Sequence, residues 1–280
     1  MSRDAVRQHY GTAPLWDRVQ AALAEAGLDR DAVQWSAFAP LDEFHTRGLA
    51  ATRELADALG PHAGDAVLDV GSGLGGPARL LAADHGCDVT GIDLSAEFVH
   101  VATRLTERAG LTTRARFEQG DATELPFADA AFDHAWTQHA AMNIADRGRL
   151  YAGVRRVLRP GGRFAIYDVV SGTGDPLRFP VPWSRNPETS FLLSAQSTRD
   201  AVREAGFEEV SFQDQTTLAT EWFAALVSGP PATRTPIGLP VVMGPEFPQM
   251  AANLYENLRE GRAGVIALVV SVPASGADRK

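Results

Sequence analysis

One run of the sequence concentrates residue types that can hold a nucleotide. Val67-Leu68-Asp69-Val70-Gly71-Ser72-Gly73-Leu74-Gly75-Gly76 carries an apolar stretch into four glycines, and Pro77 follows at once. Glycine lets the backbone approach a ligand with no Cβ in the way. Proline suits the first turn of a helix, where its missing N–H costs nothing. Strand, glycine turn and helix make a nucleotide-binding arrangement. More polar groups recur after later apolar runs: Asp93, then Gly120-Asp121-Ala122, then Gln138-His139. A histidine in such a place can take a proton from a nucleophile near neutral pH.

Gly71, Gly73 and Gly76 satisfy GxGxxG, and Asp93 follows on the next run, as in an NAD-binding domain. Asp69 argues the other way. A carboxylate two places before the first glycine would point toward a negatively charged pyrophosphate. It better suits a cation, such as the ammonium of a methionine moiety. Gly120-Asp121-Ala122 offers polar contacts to an adenine, and Arg159-Pro160-Gly161-Gly162 marks a turn before a fifth strand.

The elements that must position these residues alternate. Strands are expected over 66–70, 88–92, 114–118, 132–137 and 163–170, with helices over 77–84, from Ser95 onward, and over 146–158. Strand–helix alternation implies a parallel sheet covered on both faces. Helical spacing predicts two front helices, over 15–26 and 41–59. Past the fifth strand the rhythm breaks in a Pro- and Gly-rich stretch, 171–187. A helix over 198–205, a strand over 208–216, a Pro-rich loop over 229–248, a helix over 247–260 and a last strand over 265–272 complete the chain.

The 280 residues suffice for one large α/β domain with attached segments. A formal charge of −9 and no long basic run argue against a nucleic-acid partner. No apolar run reaches the roughly 20 residues of a membrane span, and residues 1–10 lack a signal-peptide core. The single cysteine, Cys87, fits a cytoplasmic setting. No His/Cys/Asp cluster has metal-ligand spacing.

The order of motifs resembles the class I S-adenosylmethionine (SAM)-dependent methyltransferases. The matching pieces are VLDVGSGLGG (67–76), VTGIDLS (89–95), GDATELPF (120–127), FDHAWTQHAAMNI (132–144) and VLRPGGRFAIYD (157–168). Within that superfamily the sequence is similar to bacterial small-molecule enzymes of the sarcosine/dimethylglycine and tocopherol type. The resemblance implies a doubly wound, Rossmann-like, seven-stranded sheet with an antiparallel last strand. It also implies an N-terminal helical cap over 1–60 and a catalytic domain over 61–280, with a lid insertion at about 171–195.

The resemblance assigns roles to residues. Asp93 would take the ribose hydroxyls, Leu94 would pack on the adenine, Asp121 would bond its amino group and Ala122 would offer a backbone N–H. Gly71, Ser72 and Gly73 would line the cofactor, with Asp69 organising their loop. Gln138 would meet the ammonium through its backbone carbonyl. His45 and Arg47, in an imperfect HxGG-like stretch placed on a helix, would face the methionine end, Arg47 pairing with its carboxylate. Tyr10 would close over SAM. His139 is the candidate general base. Met142, Phe179, Trp183 and Arg185 are the candidate acceptor contacts, and a homodimer is admitted. The expected reaction is methyl transfer to N, O or C of a small metabolite. An NAD(P)-dependent oxidoreductase and a non-catalytic SAM-binding partner subunit are the alternatives.

Overall fold

The computed structural model describes residues 14–30, 32–228 and 236–274. Its centre is a seven-stranded sheet in the order β3-β2-β1-β4-β5-β7-β6. The strands are β1 (Ala66–Val70), β2 (Asp88–Asp93), β3 (Ala115–Gln119), β4 (Phe132–Gln138), β5 (Leu158–Ser171), β6 (Glu208–Asp214) and β7 (Ala263–Ser271). The first five are parallel, and β7 runs antiparallel between β5 and β6. The doubly wound sheet with its reversed last strand is therefore as the motifs implied. An all-parallel dinucleotide-binding sheet in the order 3-2-1-4-5-6 is not formed, which removes the architectural ground for the oxidoreductase alternative.

Side chains alternate across the strands, so each face has its own core. Val67, Val89, Trp136 and Val269 pack on one face with α3 (Leu49–Leu59) and α4 (Gly76–Asp84), counting α1 (Leu15–Glu25) and α2 (Ala39–Asp42) before them. Leu68, Ala135, Ile166 and Leu268 pack on the other with Leu150, Tyr151 and Val154 of α6 (Arg147–Val157). Between them in sequence, α5 (Ala96–Arg108) starts at Ser95, whose hydroxyl accepts the Phe98 amide at 3.3 Å. It buries Phe98, Val101, Ala102 and Leu105, the face its spacing predicts. A third cluster seats α1 and α2 on α5 and on the start of α4.

Three local expectations fail for physical reasons. The helix expected over 41–59 is broken: α2 ends at Asp42 and α3 begins at Leu49. Between them Arg47 and Gly48 both have positive φ, 65° and 48°, which no right-handed helix accommodates. The stretch 44–48 is thus a loop, not a helix. The Arg159-Pro160-Gly161-Gly162 turn lies inside β5 as an irregularity. Leu158 pairs with Phe132, and the next paired residue, Arg163, meets His134. Finally, α8 (Thr216–Ser228), which follows α7 (Ala195–Glu204), is unexpected, and α9 (Leu239–Met243) lies in the stretch read as a loop, whereas α10 (Phe247–Arg259) is the helix expected over 247–260. Mixed apolar and threonine content hid α8, where no single stripe repeats at helical spacing.

Candidate functional site

The strand order reverses between β1 and β4, and ligands in open α/β sheets bind beyond the carboxyl ends of strands at such a point. A cavity of about 240 Å³ opens there. Gly71, Gly73, Asp93, Asp121, Gln138 and His139 line it.

The glycine loop is held by backbone bonds. The Gly71 and Ser72 amides donate to the Ile92 carbonyl at 2.8 and 3.1 Å. Gly71 has φ 75°, and a Cβ there would sit 2.3 Å from the Ala140 Cβ. Only glycine lets this turn pass so close to the end of β4. Asp93 ties the loop to the next strand: one carboxylate oxygen accepts the Gly73 amide at 2.9 Å, the other the Ser95 amide at 2.8 Å. Burial pushes its carboxyl up to about 6, against the pull of these two amides. Each oxygen retains acceptor capacity. Asp121 holds its own turn by accepting from the Thr123 amide and hydroxyl at 2.9 and 2.7 Å.

Asp69 lies beneath the loop, 2% exposed, rather than on the cavity wall. Burial pushes its carboxyl up to about 8; the Trp136 indole pulls back, and the Asp93 and Glu43 carboxylates push upward. A positive charge arriving above it would favour the ionised form. Gln138 offers a second polar handle. Its side-chain oxygen lies 3.5 Å from the Thr52 hydroxyl oxygen, while its buried Nε2 has no partner among the described residues. The Asp93 and Asp121 carboxylates fit hydroxyl and amino groups, and the unpartnered Gln138 Nε2, a donor, fits a carboxylate; SAM carries all three groups.

His139 leaves β4 with φ 47°, an uncommon conformation for a non-glycine residue and one often held at functional sites. Its amide donates to the Tyr167 carbonyl at 2.8 Å. Its ring stacks on Tyr167, centroids 5.3 Å apart at 10°, and meets His45 edge-on at 5.9 Å. Burial first, and then the neighbouring His45, hold the imidazole well below the ordinary histidine value of 6.5. Its Nε2 is buried without a partner among the described residues. His45 is itself fixed: Nε2 lies 2.7 Å from Glu43 Oε2 and 2.9 Å from Thr52 Oγ1. The Thr52 hydroxyl also donates to Glu43 at 2.6 Å, and Thr46 Oγ1 lies 2.9 Å from the Tyr167 hydroxyl.

The structure brings His45, Leu94, Ala122, Met142 and Trp183 to the same wall. It does not bring Arg47, Ser72, Phe179 or Arg185 there. Arg47 is turned to Glu54, 2.7 Å away, and to Gln215 at 3.1 Å. Ser72 Oγ is buried under the loop. Phe179 packs against the core, and Arg185 pairs with Glu246 on the surface. Tyr10 lies outside the described residues. No group of three or more His, Cys, Asp or Glu is gathered for a metal among the described residues.

Sequence reasoning missed two groups. Glu43, Thr52 and Tyr167 support the histidines from three separate elements, so no spacing announces them. Trp222, Phe223, Leu239, Met243, Phe247 and Leu254 form an apolar wall from α8, α9 and α10. The adjacent aromatics Trp222-Phe223 were the available signal.

Comparison with known proteins agrees with this geometry. Residues 68–166 match the family described as "Methyltransferase domain". That segment runs from β1 into β5 and carries the glycine loop, Asp93, Asp121 and His139. Over that segment the chain is similar to the class I SAM-dependent methyltransferases. Among relatives, the 27-O-demethylrifamycin SV methyltransferase of Amycolatopsis mediterranei is 35% identical over 186 residues, 63% of this chain and 65% of that protein. The chain spans between 30% and 65% of the length of the curated relatives it matches here. Among solved structures, a geranyl diphosphate C-methyltransferase from Streptomyces coelicolor has TM-score 0.70 at 18% identity, over 97% of this chain and 98% of that one. The [4+2]-cyclase SpnF has TM-score 0.64 at 25% identity, over 98% and 97%.

Proposed function

We propose that the chain transfers the methyl group of SAM to N, O or C of a small molecule, with His139 as general base where the acceptor is a hydroxyl. The observation that carries this is one cavity joining Asp93 and Asp121 to the buried, unpartnered Nε2 of His139. Bound SAM supplies a methyl activated by its sulfonium. As the acceptor oxygen bonds that carbon, the carbon–sulfur bond breaks and its electron pair stays on sulfur. The acceptor proton passes to Nε2 of His139. A neutral imidazole is required for this, and burial keeps it neutral. Glu43 and Thr52 hold His45, which sets the edge against which His139 rests.

In this reading Asp93 takes the ribose diol, Leu94 and Ala122 flank the adenine, and Asp121 meets its amino group. Gly71 and Gly73 give the methionine moiety close approach, while Gln138 and Asp69 answer its ammonium. The front segment, 1–60, acts as a cap and 171–195 as a cover over the catalytic unit of 61–280. Phe44 and Thr46 from the first and Pro182 and Trp183 from the second line the cavity, which supports this division. A homodimer is supported by exposed Val210 on the edge strand and Leu218 and Leu226 on α8; light scattering of the purified protein tests it. Cys87, free and buried, suits a cytoplasmic setting.

The similarity to a cyclase along nearly the whole chain favours a second reading, in which the cavity folds its substrate without consuming SAM. The deciding experiment incubates the protein with SAM and a panel of acceptors and measures S-adenosylhomocysteine together with product mass. Stoichiometric S-adenosylhomocysteine and a product heavier by one methylene unit support transfer. A product formed without either supports cyclisation.

A further inference from the structure

The wall facing the cofactor end of the cavity differs from it in chemistry. It is built by the segment between β6 and β7, not by the matched family segment. Trp222 and Phe223 come from α8, Leu239 and Met243 from α9, Phe247 and Leu254 from α10. Trp183 reaches the same space from the insertion after β5, its indole N–H donated to Ser190 Oγ at 2.9 Å, leaving the ring as an apolar surface.

Charge points the same way. The ionisable lining groups among the described residues are Asp93, Asp121, His45 and His139. None is a lysine or arginine. The two arginines closest in sequence to lining residues, Arg47 and Arg185, are paired with Glu54 and Glu246 instead. A phosphate or carboxylate brought here would meet acidic groups and aromatic faces. Desolvating a charge without a partner is costly, whereas burying an apolar body against aromatic and aliphatic side chains is favourable in proportion to area.

We propose that the acceptor is a bulky, uncharged, largely apolar molecule, seated on the wall between β6 and β7 with its reacting heteroatom toward His139. The proposal rests on the methyltransferase reading for the identity of the neighbouring cofactor and goes beyond it in naming the acceptor class. It assigns selectivity to α8, α9 and α10 rather than to the glycine loop or the histidines.

Matched ligands differing only in charge test it. The full-length protein, saturated with S-adenosylhomocysteine and with Mg2+ present to give the diphosphates a counter-ion, is titrated with geraniol against geranyl diphosphate and with farnesol against farnesyl diphosphate. Tryptophan fluorescence reports directly, because Trp183 and Trp222 line the cavity. The alcohol of each pair should bind at least about tenfold tighter. The Trp222→Ala variant should lose about tenfold in alcohol affinity and keep its affinity for S-adenosylhomocysteine, which also certifies its fold. In that variant, calorimetry replaces the fluorescence readout. Should Trp222→Ala fail to fold, Phe247→Ala serves in its place. Equal or tighter binding of the diphosphates, failure of both alcohols to bind, or unchanged alcohol affinity in a folded wall variant would overturn the proposal. Preference for the alcohols without any S-adenosylhomocysteine release in acceptor assays would instead keep this inference and sink the methyl-transfer reading.

Discussion

The two ends of the cavity are made in different ways. The cofactor end uses backbone amides, glycines and carboxylates at the carboxyl ends of adjacent parallel strands. Its positions are fixed by hydrogen bonds such as Gly73 to Asp93 and Ser72 to Ile92. The acceptor end uses the bulk of side chains from helices inserted between the last two strands, with scarcely a hydrogen bond to set them. The first construction must be conserved in geometry to work at all. The second keeps its role through many changes of shape, because apolar packing is non-directional. One end therefore defines a superfamily, and the other defines an individual protein.

The largest effect that can sharpen this contrast comes from the residue at the border. His139→Ala should lower turnover by about 100-fold or more while SAM affinity stays nearly intact. The pH profile adds a sign. Because burial holds the imidazole well below 6.5, wild-type turnover should keep its plateau through pH 6.5 and fall only as the pH drops toward that lowered value. The acidic limb should vanish in the alanine variant; a limb that persists removes His139 as the base.

Gly71→Ala probes the cofactor end where geometry is tightest. A Cβ 2.3 Å from Ala140, at φ 75°, forces the loop or the end of β4 to move. We expect a loss of about 1–3 kcal/mol in stability together with weakened SAM binding, read by thermal unfolding with and without SAM. An equally stable variant with unchanged binding would mean the loop tolerates far more freedom than the structure implies.

Smaller is the proton count on binding. With its carboxyl up at about 8, Asp69 is mainly protonated at pH 7 in the free protein. A cation settling above it lowers that value and expels the proton. Calorimetry in buffers of different ionisation enthalpy should detect proton release at pH 7, fading as the pH rises past 8. Uptake of protons, or none exchanged, would contradict a cation at this place.

The smallest effect is a null. Arg47→Ala and Arg185→Ala should leave SAM affinity unchanged within error, because Arg47 is engaged by Glu54 and Gln215 away from the cavity lining and Arg185 by Glu246 on the surface. A strong loss in either variant would return that arginine to the site.

The same division explains what the sequence revealed. Strand runs, the glycine loop, Asp93, Asp121 and the Gln138-His139 pair were legible because parallel strands ending at one edge place short motifs beside one another. The reversed last strand came from the resemblance to a family, not from periodicity. The front loop was misread, since Phe44 falls at helical spacing with Leu55 and Leu59 while Arg47 and Gly48 interrupt the helix through backbone conformation alone. Glu43, Thr52 and Tyr167 meet around His45 only after folding; nothing in their spacing foretells it. The acceptor wall was missed because its residues come from three helices, one of them inside the stretch read as a loop, and beyond the Trp222-Phe223 pair nothing in their spacing sets them apart from core residues.

The separation of the two ends is tested most directly by titrating SAM calorimetrically into the wild-type protein, Asp93→Ala and Trp222→Ala. Asp93→Ala should weaken SAM by about 1.5–3 kcal/mol, the scale of hydrogen bonds to a charged group, while Trp222→Ala binds it as the wild type does. Unchanged affinity in a folded Asp93→Ala protein, or a loss of similar size in Trp222→Ala, would contradict a cofactor end and an acceptor end built independently.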